Sequence, residues 1–133
     1  MGKRIIAIVA AIAAYVLMVI AADMVSHSMQ APPADLDYKN AEAVKTFLRS
    51  LSIGNWLVYT LLHALGAIIA GAVLRLVGKE YNRQHANVLG IVIASLEGFN
   101  GFSTGHPIWQ PIVAILIAFP CVFIGHMLVK RNG

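Results

Sequence analysis

The chain has 133 residues, 59% hydrophobic and 12% charged. A soluble domain carries roughly 45–50% apolar and about 25% charged residues, so this composition excludes an ordinary soluble protein and requires a surface that faces lipid. Ten Lys and Arg against six Asp and Glu give a formal charge of +4. The basic residues flank apolar runs, which is a pattern of membrane topology and not a nucleic-acid footprint. With one cysteine, Cys121, no intramolecular disulfide can form.

Ile5 to Ala22 is an apolar run preceded by Lys3 and Arg4. Its 18 residues are enough to cross a hydrocarbon core of ~30 Å as a helix. The order of basic, apolar and small residues also fits a cleaved signal peptide, but the run exceeds a signal core of about 7–15 residues, and a retained helix is expected. The polar stretch that follows contains Pro32-Pro33, which stops a helix. Asp35 and Asp37 are the expected N-caps of the next one. In it Val44, Phe47, Leu48 and Leu51 share a face, with Lys45, Thr46, Arg49 and Ser50 away from it, the pattern of a short helix lying on a membrane surface.

Ile53 to Val77 reads as a second span, with Trp56 and Tyr59 as interface anchors. Gly66 and Ala70, and Ala67 and Gly71, give it a small-residue stripe for close helix contact. Arg75, Lys79, Glu80 and Arg83 form a mainly basic connection. Ala86 to about Phe102 is the third span, the least apolar, with glycines at which it could break. Ile108 to Val129 is the fourth, with a kink expected at Pro120 and Lys130 and Arg131 at its end. The expected fold is thus all-α: an integral membrane four-helix bundle in one domain, residues 1–133, with spans at about 5–23, 53–77, 86–102 and 108–129 and a short outer interfacial helix in the loop 24–52. With both termini cytoplasmic, the inner side holds Lys3, Arg4, Arg75, Lys79, Arg83, Lys130 and Arg131, and the outer side only Lys39, Lys45 and Arg49. That bias gives the orientation.

Polar residues in so apolar a chain are the functional clue, and they gather in Ser95–Pro111, SLEGFNGFSTGHPIWQP. Helical rise places His63 about 15 Å from the outer end of its span and Glu97 about 15 Å from the inner end of its own, both near mid-depth. Each lies on a small-residue face, so both are expected inside the bundle, offsetting each other's burial. Asp23 and His27, one turn apart, with Asn55, Asn100, His106 and Trp109, belong near the outer surface. The two groups together predict a polar pocket opening outward. Asp23, His27 and His106 are the candidate metal ligands, the first two having the spacing of a helical metal pair. No hydrolase, phosphate-loop, haem or zinc-cysteine motif is present, so no cofactor and no enzymatic activity is expected.

Several of these residues carry a resemblance. Asp23 and His27 ending the first helix, Pro32-Pro33 with the acidic loop after it, Gly66 and Gly71, Asn100, and His106-Pro107-x-Trp109 before the last helix resemble a group of small four-helix bacterial inner-membrane proteins with no assigned activity. The resemblance spans nearly the whole chain and implies a multi-pass protein of that membrane. Glu97 is not among the shared residues. The leading functional expectation is an accessory or interaction protein, its partners the lipid bilayer and a second copy or another membrane protein, with no nucleic acid. The alternatives are a small proton-coupled carrier or exporter using Glu97, and an outward-facing metal or small-ligand site.

Overall fold

A computed structural model describes residues 2–79 and 82–130; Glu80 and Arg131 lie outside them. The described residues form five helices and no strand: α1 (Gly2–Met29), α2 (Ala41–Ser50), α3 (Ile53–Gly78), α4 (Arg83–Thr104) and α5 (Trp109–Leu128). Among them α1, α3 and α5 are long and apolar enough to cross a membrane. α4 misses that threshold because Ser95, Glu97, Asn100, Ser103 and Thr104 dilute its second half.

α1 runs about two turns beyond its apolar core and so carries Asp23 and His27 within the helix. α2 starts at neither Asp35 nor Asp37: Asn40 is its N-cap, its side chain accepting from the N–H groups of Glu42 and Ala43 at 3.1 and 3.2 Å. The aspartates are too far from the first free N–H groups to satisfy them. α4 is continuous through Gly98 and Gly101, and α5 through Pro120. α4 ends at Gly105, whose φ of 86° is left-handed, and His106 N–H then returns to the Gly101 carbonyl at 3.1 Å. This closed turn fixes where the His106 imidazole is presented.

The long helices pack in the order α1–α3–α5–α4, and α4 returns only sparsely to α1 and α3. α3 is the centre because its small residues lie on two faces. Gly66 receives Tyr15 and Met18 of α1. At Gly71 a Cβ would collide with the Val122 carbonyl of α5, and at Gly125 one would collide with the Ile68 carbonyl of α3. The backbones cross there in contact, through a mutual pair of glycines. The core between the helices is built from Ala7, Ala11, Ala67, Ala70, Leu74, Leu89, Ile93, Ala118 and Val122.

α2 lies across one end of the bundle. Its apolar stripe meets protein: Phe47 and Leu51 are buried with Ala22, Trp56 and Tyr59. Gln30 holds the connection, donating to the Ser50 carbonyl and accepting from Ser52 N–H, each at 3.2 Å. Trp56 and Tyr59 are 3% and 5% exposed, so they are interior residues under α2 and not surface anchors.

Candidate functional site

The sparse seam between α1 and α4 leaves a cavity of about 440 Å³. α1 contributes Tyr15, Val16, Val19, Ile20, Asp23 and His27, spaced so that they share one face. α4 contributes Leu96, Glu97, Phe99, Asn100 and Thr104. Tyr59 and His63 of α3 form the back wall, Val44 and Leu48 of α2 the roof, and His106 closes the α2 end. Val16, Ile20, Leu96 and Phe99 on the rim are exposed, so the mouth is apolar and the interior polar.

At the deep end His63 Nδ1 and Glu97 Oε1 are 2.5 Å apart, with the side chains 3% and 6% exposed. Two such groups at that separation share a proton, held by whichever is its donor. The Tyr15 hydroxyl approaches the same nitrogen at 3.4 Å. His63 Nε2, on the far side of the ring, and Trp56 Nε1 are buried with no hydrogen-bond partner among the described residues.

Rings run from this pair to the α2 end. His63 stacks on Tyr59 at 4.2 Å between centroids, Tyr59 meets His106 edge-on at 5.7 Å, and His106 lies 4.6 Å from Trp56. Tyr59 also faces Asp23 and Asn100 with its hydroxyl. His106 Nδ1 is 2.8 Å from Gln110 Oε1, and Gln110 Nε2 donates to the Thr60 hydroxyl at 3.4 Å. Burial holds the His106 imidazole below its ordinary range, against the opposing pull of Gln110 and the Asp23 carboxylate.

Of the residues expected in a pocket, Asp23, His27, His63, Glu97, Asn100 and His106 line this one cavity. Asn55 and Trp109 do not. Asn55 is 1% exposed and ties α3 to α1, accepting from the Ser26 hydroxyl at 2.6 Å and donating to the Ser26 carbonyl at 3.1 Å. Trp109 is 36% exposed at the start of α5 and is not among the lining residues. The geometry gives no support to the expected metal ligands Asp23, His27 and His106. Among the described residues no three His, Cys, Asp or Glu side chains come together as ligands: Asp23 is turned to Tyr59, and His106 uses Nδ1 on Gln110.

Sequence reasoning missed Tyr15, Tyr59 and Gln110 as parts of the site. Gln110 had a signal, an amide one turn after His106 in a chain with few polar residues. Tyr15 stands in an unbroken apolar run and had none. The chain matches no protein-family model, no curated protein and no solved structure.

Proposed function

We propose that the chain is a four-span protein of the bacterial inner membrane that binds a small amphipathic organic cation in the α1–α4 seam, exchanging it for the proton shared by His63 and Glu97. The observation that carries this reading is the α1–α4 cavity, which ends on that pair. Its lining holds two carboxyls, Asp23 and Glu97, and among the described residues no Lys or Arg. The face of Tyr59 adds a surface suited to a cation. The apolar rim lets the rest of the ligand stay in contact with acyl chains. An ionisable pair at this depth is expensive and by default functional, and swapping a proton for a monovalent cation keeps the site's charge constant.

Treating α4 as the fourth span is supported by its 22 residues, about 33 Å of helix. It is also supported by the exposed Val88, Ile91, Phe99 and Phe102 along it. In that arrangement α2 is an outer helix and both termini are cytoplasmic, as the Lys and Arg bias demands; the bacterial membrane rests on the resemblance. An accessory role draws less support, since the small residues that suggested a partner helix are occupied by α1 and α5 of the same chain.

The test is calorimetric titration of the purified full chain with tetraphenylphosphonium across pH, in two buffers of different ionisation enthalpy. Expected are release of a proton on binding and affinity that rises about tenfold per pH unit, both lost in Glu97→Gln. No binding by the wild type, or an unchanged pH dependence in the variant, would overturn the reading.

A further inference from the structure

Two groups approach the same nitrogen of His63. Glu97 Oε1 lies 2.5 Å from Nδ1 and the Tyr15 hydroxyl 3.4 Å from it. The second distance is long for a hydrogen bond from a hydroxyl, so Glu97 holds the nitrogen and Tyr15 stands beside it. The Tyr15 ring is firmly seated: it packs at Gly66, where a Cβ would meet its Cδ2 at 3.3 Å, and the residue is buried. The imidazole is secured less, since its Nε2 has no hydrogen-bond partner among the described residues. A void of about 10 Å³ adjoins the pair. Tyr15, His63 and Glu97 line both this void and the α1–α4 cavity, and the other walls of the void are alanine and isoleucine side chains. The ring therefore has room to turn, and on that side Tyr15 is the polar group it meets.

The blander account makes Tyr15 a packing residue. Proton accounting asks more of it. In the exchange the proton between Nδ1 and Oε1 departs to solvent, and the cation's charge takes its place on the Glu97 carboxylate. That cation repels an N–H aimed at it, so the remaining imidazole proton sits on Nε2 and Nδ1 carries a lone pair. A buried acceptor without a donor is costly. We propose that Tyr15 is a positioning residue of the exchange: when a cation takes Glu97, the His63 imidazole turns and its Nδ1 accepts a hydrogen bond from the Tyr15 hydroxyl. No further proton moves, because the tyrosine keeps its own. The inference rests on the cation–proton exchange proposed above.

Titration calorimetry with tetraphenylphosphonium, and nitrogen NMR of the full chain labelled in its histidine rings, test this. Tyr15→Phe keeps the ring at Gly66 and removes the hydroxyl. Its thermal stability without the cation is expected to match the wild type, and its affinity to fall about tenfold, the penalty of one buried acceptor left without a donor. At saturation the wild-type His63 Nδ1 resonance should take the position of a hydrogen-bonded acceptor, and in Tyr15→Phe that of a bare lone pair. Undiminished affinity in Tyr15→Phe, or weaker binding with the wild-type Nδ1 resonance, would overturn this inference and leave the exchange standing. So would a wild-type Nδ1 that stays protonated at saturation, a result that needs no variant. A wild type that does not bind the cation would overturn both.

Discussion

His63 on α3 and Glu97 on α4 meet at 2.5 Å, although the two helices that carry them scarcely touch elsewhere. The pair is therefore a buried polar link between α3 and α4 as well as the end of the α1–α4 cavity. Removing one partner strands the other in an apolar interior. Glu97→Ala or His63→Ala is expected to cost about 3–5 kcal/mol, whereas Glu97→Gln, whose amide still bonds the imidazole, costs less than either. Thermal unfolding in detergent measures this, and wild-type stability in Glu97→Ala would refute it.

The turn histidine makes stability depend on pH. The folded state holds the His106 imidazole below the unfolded value of 6.5, burial being the main cause. The unfolded state therefore binds more protons in the window just below 6.5. Its contribution to stability is fully present above that pH and is lost as pH falls toward the folded value. Melting temperatures at pH of about 7.5 and about 5.5 should differ less in His106→Gln than in the wild type. An identical difference in both proteins would count against this assignment.

The crossing of α3 on α5 tolerates no side chain. Gly125→Val is expected to abolish folding, because the added atoms would occupy the Ile68 carbonyl and no rotamer avoids it. Gly54→Ala is the control, as a Cβ there meets only Ser52 Oγ at 3.9 Å. The yield of monodisperse protein after extraction reads both. A well-folded Gly125→Val would mean that the backbones do not cross in contact.

Ser26 and Asn55 separate stability from binding. Both are buried and bonded to each other outside the cavity. Ser26→Ala leaves the Asn55 amide oxygen short of a donor, a loss of about 1–3 kcal/mol, with no change in affinity for tetraphenylphosphonium. A large affinity change without loss of stability would place this pair in the site.

The three most apolar helices were legible because a continuous hydrophobic run fixes both the type and the length of a span. The meeting of His63 with Glu97 was legible for a subtler reason: helical rise converts position in a span into depth, and two buried ionisable groups at one depth have cause to pair. Contacts that depend on rotation about the helix axis were less so. Trp56 and Tyr59 sit near a helix start, where an aromatic is usually an anchor, and only the docking of α2 turns them into interior residues. The same event explains the amphipathic face of α2, whose pattern says that something apolar covers it and not whether that is lipid or protein. Asp35 and Asp37 lost the cap to Asn40 because capping depends on where the first free N–H groups fall.

The order of the helices along the chain bears on how the protein is made. On the four-span reading proposed above, α4 is the helix least able to enter a bilayer unaided, since it carries the buried Glu97 carboxyl. α3, which holds the matching imidazole, precedes it and leaves the ribosome first. On that reading the acid reaches the membrane with its partner already in place, and insertion of α4 becomes a step assisted by the chain's own earlier helix.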